Sequence, residues 1–135
     1  MRPKVNIVTI GVTSLERAFE FYRVLFALPD ERISAGPDHV AFFLDDDLSF
    51  VLLTMENLAA TAGQGEARAG TAQVILSHTA SSREEVDEVL AEAVRAGGAI
   101  HLPAIESEWG YAGYFADTEG NIWEVLAAAG GETVN

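Results

Sequence analysis

Asn6-Ile7-Val8-Thr9-Ile10-Gly11-Val12-Thr13-Ser14-Leu15-Glu16-Arg17-Ala18-Phe19-Glu20-Phe21-Tyr22 carries two different hydrophobic periods in one short run. Val5 to Val12 alternates β-branched and small residues, the two-residue period of a strand. From Leu15 the period changes. Leu15, Ala18, Phe19, Tyr22, Leu25 and Phe26 fall on one face at helical spacing. Thr13 and Glu16 stand at the separation of a capping box, in which the hydroxyl caps the helix and the carboxylate reaches back to the capping residue's amide. The spacing predicts a helix from about Ser14 to Ala27, stopped by Pro29. A short strand near Glu31 to Ser34 and a turn at Gly36-Pro37-Asp38 follow. His39 to Leu44 and Leu48 to Met55 then read as a hairpin closed by Asp45-Asp46-Asp47.

The second half repeats this order. Thr71 to Thr79 reads as a strand. Ser81 and Ser82 precede Glu84 and Glu85 at capping-box spacing, and Val86, Val89, Leu90, Ala93 and Ala96 form the apolar face of a helix from about Ser82 to Ala96. Gly97-Gly98 supplies the left-handed backbone that ends it. Extended segments follow near Ala99 to Glu108, Tyr111 to Ala116 and Asn121 to Ala127, the last two joined by Asp117-Thr118-Glu119-Gly120. The first strands of the halves lie 66 residues apart (Ile7 to Gln73) and the last turns 72 apart (Asp45 to Asp117), a drift that loop lengths explain. Such a repeat marks a fold built from two copies of one strand–helix–strand–strand–strand unit. The expected organisation is one domain, 1–135, with module one about 4–56, a linker about 57–70 and module two about 71–128. The tail from Ala129 is expected to fray.

Composition narrows the partners. With 135 residues and 49% of them hydrophobic, the chain can bury a core without a metal or disulfide staple. It has no cysteine, which removes disulfides, zinc–thiolate sites and thiol nucleophiles. Acids outnumber bases by 21 to 8, a formal net charge of −13, so phosphate backbones and anionic membranes are repelled while a cationic ligand is attracted. No segment reads as a signal peptide or a membrane span, and the expectation is a soluble cytoplasmic protein with no nucleic-acid or membrane partner.

Two motifs are familiar. Asn6 to Val12 running into Ser14 to Tyr22 resembles the opening of the vicinal-oxygen-chelate superfamily (glyoxalase/bleomycin resistance protein/dioxygenase), where a strand leads into a helix ending in a Phe-Tyr pair and a Leu. Asp117-Thr118-Glu119-Gly120-Asn121-Ile122-Trp123-Glu124-Val125 is similar to that family's closing hairpin. The resemblance covers nearly the whole chain. It implies an α+β fold of two tandem βαβββ modules forming a curved, mostly antiparallel cupped sheet with helices outside. It also implies a homodimer, since members often complete their cavities by pairing modules. The fold hosts lyases, isomerases, dioxygenases and non-catalytic drug-binding proteins, so the site must decide the activity.

In the metal-dependent members, His, Glu or Gln side chains from four strands hold a divalent ion. Carried over position by position, the first ligand falls on Ile7, the second near Leu52 (within one residue of register), the third on Gln73 and the fourth on Glu124. Ile and Leu cannot coordinate a metal, and one amide with one carboxylate is a poor set for Ni²⁺, Zn²⁺ or Fe²⁺. The implied metal site is therefore expected to be lost, leaving no cofactor. His39, His78 and His101 fall on no ligand position and read as exposed or core-satisfied. Asp45-Asp46-Asp47 lacks the spacing of a calcium loop and reads as a charged turn.

Two features remain as candidate binding groups. Alternation puts Ile122, Glu124 and Leu126 on one strand face, with Trp123 and Val125 on the other. Glu124 could pair with a cationic ligand, act as a general base, or hydrogen-bond to Gln73 or a tyrosine. Trp109-Gly110-Tyr111-Ala112-Gly113-Tyr114-Phe115 is the densest aromatic cluster, with glycines beside large rings and Glu106 and Glu108 nearby. It reads either as core or as a surface for flat or cationic molecules. No Ser-His-Asp arrangement, phosphate loop or paired catalytic carboxylate is recognisable. The first reading is a metal-free small-molecule binding protein with a cavity lined by Trp109, Tyr111, Tyr114, Glu124 and Gln73, its expected role the sequestration of an aromatic or cationic antibiotic-like compound. The alternative is a glyoxalase-like lyase or isomerase with an atypical site using Glu124. A domain whose main purpose is dimerisation is a third, weaker reading.

Overall fold

The computed structural model describes Pro3 and residues 5–61, 75–108 and 110–129. The chain divides into two compact units, Met1–Ala69 and Gly70–Asn135, and each is an α+β module of βαβββ order. Each module holds its own four-stranded sheet with one parallel and two antiparallel pairings.

In module one, β1 (Ile7–Val12) enters α1 (Leu15–Phe26), and β2 (Ile33–Ala35), β3 (His39–Phe43) and β4 (Ser49–Thr54) follow. The sheet order is β1-β4-β3-β2, with β1 parallel to β4. The helix cap is Ser14, whose Oγ accepts from the Arg17 amide at 3.2 Å, one residue beyond the expected Thr13. Adjacent hydroxyls offer nearly the same spacing, and spacing alone does not choose between them. The helix closes with Ala27 in the left-handed region (φ 50°), two residues before Pro29. Its apolar face meets one face of the sheet. Ala18, Phe21 and Tyr22 are buried with Ile10, Val12, Val40, Phe42, Phe50 and Leu52. Tyr22 meets Phe50 edge-on with centroids 4.8 Å apart, and Phe26 meets Phe42 the same way at 5.7 Å. Each such ring contributes about 1.5–3 kcal/mol through burial.

One element was not expected. The strand read as running to Met55 ends at Thr54, and α2 (Met55–Thr61) takes the start of the expected linker. The Thr54 Oγ1 accepts from the Asn57 amide at 3.1 Å, and Met55 and Leu58 close over Gly11 of β1.

Module two is built from β5 (Ile75–Thr79), α3 (Arg83–Arg95), β6 (Ala99–Ser107), β7 (Gly110–Ala116) and β8 (Ile122–Ala128), in sheet order β5-β8-β7-β6. Ser82 caps α3, its Oγ accepting from the Glu85 amide at 3.1 Å. The Glu85 carboxylate reaches back to the Ser81 amide and hydroxyl, which lowers its pKa. Gly97 takes the left-handed turn after the helix (φ 110°). Val86, Leu90 and Ala93 of α3 pack on one sheet face with Phe115, Trp123, Val125 and Ala127. Phe115 and Trp123 stack nearly parallel, centroids 5.9 Å apart. Among the described residues, no helix is long and apolar enough to cross a membrane.

Candidate functional site

The site begins with the turn between β7 and β8. Asp117, only 5% exposed, accepts from the Glu119 and Asn121 amides, both at 2.8 Å, and from Asn121 Nδ2 at 2.9 Å. A carboxylate that closes its own turn in this way fixes the hairpin's register. That register sets Glu124 directly opposite Tyr114, while the parallel pairing with β5 sets it opposite Ser77. The three side chains form a row across three strands. All lie on the distal face of the sheet, the one turned away from α3, because Trp123 and Val125 take the helix side.

The Glu124 carboxylate is held from both sides. The Ser77 hydroxyl donates to Oε1 at 2.9 Å and the Tyr114 hydroxyl donates to Oε2 at 2.8 Å. The hydrogen bond to the carboxylate, then partial burial and the carboxylate's charge, hold the Tyr114 phenol above its ordinary pKa. Around the row the face is apolar. Ile75 pairs with Ile122, Leu102 with Tyr114, and Ile105 with Ala112. Ile75, Leu102 and Ile105 each leave half or more of their surface exposed.

The structure does not bring all of the expected cavity residues together. Tyr114 and Glu124 are joined. Tyr111 is separated from them, which corrects the expectation of a shared cavity wall. An odd separation along a regular strand puts Tyr111 and Tyr114 on opposite faces. The Tyr111 hydroxyl donates to Asp87 of α3 at 2.7 Å, which raises the phenol's pKa, and the Arg83 guanidinium lies 4.6 Å from its ring centroid. Trp109 and Gln73 lie outside the described residues. Ser77 was missed, although it shares strand parity with Gln73 and Ile75.

Among the described residues, the matching surface of module one carries no carboxylate at the carried-over positions, and Thr9, Ser49 and His39 share its face. Ile7 lies on that sheet's distal face, 61% exposed. Leu52 does not; it is fully buried beneath α1, so within the one-residue allowance of register the position falls beside it. Its neighbours Val51 and Leu53 occupy the distal face instead, and neither carries a donor atom. His39 stands at the start of β3 with Nδ1 3.0 Å from the Asp38 carboxylate, whose pKa the imidazole lowers.

The family model of the Glyoxalase/Bleomycin resistance protein/Dioxygenase superfamily matches residues 4–125. The chain belongs to that superfamily. Solved structures agree on the fold. A glyoxalase-related enzyme from Fulvimarina pelagi is 25% identical, with 98% of each chain covered and a TM-score of 0.80. A glyoxalase/bleomycin resistance protein/dioxygenase from Nocardioides is 20% identical over 100% of this chain and 89% of that one, with a TM-score of 0.77. A lactoylglutathione lyase from Agrobacterium tumefaciens is 20% identical over 93% of each, with a TM-score of 0.69. No curated protein matches the chain.

The metal held by some superfamily members does not fit the described residues of this one. Of the four carried-over positions, module one offers only aliphatic side chains, Gln73 lies outside the described residues, and Glu124 is a single carboxylate. Among the described residues, no cluster of three or more His, Asp or Glu could hold an ion. The row supplies one carboxylate and two hydroxyls, with Thr79 and several aliphatic side chains on the same face among the described residues.

Proposed function

We propose that this superfamily member is a metal-free binding protein for a small aromatic or cationic compound, with the distal face of module two as its binding surface. The observation that carries the reading is the row Ser77–Glu124–Tyr114. A carboxylate bracketed by neutral hydroxyls, amid exposed aliphatic side chains, can attract a positive charge or accept hydrogen bonds from an apolar-bodied ligand. Sequestration of an antibiotic-like compound is the specific form proposed. Cytoplasmic location and a homodimer belong to the same proposal, and light scattering should then report about twice 14.5 kDa.

A thermal-shift screen of cationic and neutral planar antibiotics tests the reading. A binder at about 100 times its dissociation constant adds about 2.7 kcal/mol of stability. Glu124→Gln should reduce the shift for cationic hits and leave that for neutral hits nearly unchanged. If no such compound shifts the melting curve while a keto or thioester metabolite is turned over, the lyase or isomerase reading with Glu124 as base replaces it.

A further inference from the structure

The binding reading leaves the ligand's head group unnamed, and the geometry of Glu124 narrows it. A carboxylate has about four acceptor sites, two on each oxygen. Ser77 and Tyr114 reach Glu124 from the strands on its two sides and occupy one site on each oxygen. Among the described residues, these two bonds leave one acceptor on each oxygen. Both bonded partners are neutral, so the negative charge is not compensated by them. The ion pairs of module two's described residues do not include Glu124; Arg83 of α3 pairs with Glu106 on β6 and covers Tyr111 on the helix side.

We propose that the distal face of module two selects an organic cation whose head carries two parallel N–H donors, an amidinium or guanidinium, on an apolar body. A forked cation matches the two remaining acceptors of a carboxylate, and paired charge-assisted bonds are stronger than neutral ones. The body would lie on Ile75, Ile122, Leu126, Leu102 and Ile105, which share the row's face. Ser77 and Tyr114 act as specificity residues. By taking one site on each oxygen, they leave the pair that a fork requires. The inference rests on the binding reading above and adds the class of compound.

Three probes with one phenyl ring each separate the contributions: benzamidine (charge and two N–H groups), benzyltrimethylammonium (charge without donors) and benzamide (donors without charge). Calorimetric titration gives their affinities, and amide shifts in ¹⁵N-labelled protein locate them. Benzamidine should move the amides of Ser77, Tyr114 and Glu124 and bind about ten- to a hundredfold more tightly than either other probe. Glu124→Gln should bring benzamidine down to the level of benzamide. Equal binding of benzyltrimethylammonium would show that charge alone is read, and equal binding of benzamide that charge is not needed; either overturns the proposal. The comparison uses the unmodified protein, so it stands even if the variant misfolds. If neutral 2-naphthol moves the same amides and benzamidine does not, this inference fails while the binding reading survives. If none of these probes moves them, both fail.

Discussion

Gly113 stands next to Tyr114 on β7, and from the sequence it reads as open space beside a large ring. In the structure its missing side chain faces α3. A Cβ at this position would lie 2.7 Å from Leu90 Cδ1 and 3.1 Å from both Cα and N of Ala104 on β6. Comfortable carbon contacts need about 3.5–4.0 Å, so roughly 1 Å must be found on the Leu90 side alone. Leu90 is 7% exposed and has little room to swing, and Ala104 offers only backbone. Overpacking of this kind costs typically about 1–3 kcal/mol. Gly113→Ala should therefore lose about 2 kcal/mol, or about 6–10 °C in Tm for a chain of this size. The sign is informative, because alanine in an unhindered strand would instead gain about 0.5–1 kcal/mol. Leu90→Ala alone should cost about 2–5 kcal/mol by leaving a cavity. The double variant should cost less than the two singles together, since the new methyl enters the vacated space. Rescue should be incomplete, because the Ala104 contact persists. Urea unfolding followed by circular dichroism measures all three. A Gly113→Ala protein as stable as the parent, or strictly additive losses, would refute this account of the α3 contact and return the glycine to the ligand surface.

Three further outcomes are expected. The Tyr114 phenol has a raised folded pKa, caused first by the hydrogen bond to Glu124, so its contribution to stability is complete below the unfolded value near 10 and is lost as pH rises through the folded one. The stability gap between the parent and Tyr114→Phe should accordingly narrow above about pH 10, and a gap that stays constant from about pH 7 to 11 would show that hydroxyl and carboxylate are not coupled. Adding Ni²⁺, Zn²⁺ or Mn²⁺ should leave the melting temperature unchanged, whereas a real site loaded at about 100 times its dissociation constant would add about 2.7 kcal/mol; one equivalent of tightly held metal by elemental analysis would return Glu124 to a ligand role. Trp123 is nearly buried and stacked on Phe115, so Trp123→Phe should lower stability and preserve fluorescence quenching by an aromatic ligand, while Trp109→Phe should abolish the quenching if Trp109 lines the surface as its sequence context suggests.

The parts of this molecule that were legible in its sequence are those encoded within a single element. The switch from alternation to helical spacing at Leu15 announces β1 and α1, and the same switch near Ser82 announces α3. Alternation in Ile122-Trp123-Glu124-Val125 separates the carboxylate from the tryptophan before any fold is known. The same rule applied to β7 separates Tyr111 from Tyr114, although their nearness in an aromatic cluster suggests one shared surface. Helix α2 was legible too, since Met55, Leu58 and Ala59 stand at helical spacing, yet the small residues after them read as linker. Ser77 is a different case. Its position opposite Glu124 depends on the parallel pairing of β5 with β8, and no local period encodes which strand becomes a neighbour. The same holds for Leu52, where a shift of one residue exchanges the buried face for the exposed one. Family resemblance supplied the position of Glu124 but not its chemistry. In this structure its oxygens accept hydrogen bonds from hydroxyls on both flanking strands. The surroundings of such a carboxylate are therefore set by cross-strand neighbours that a sequence shows only after register is known.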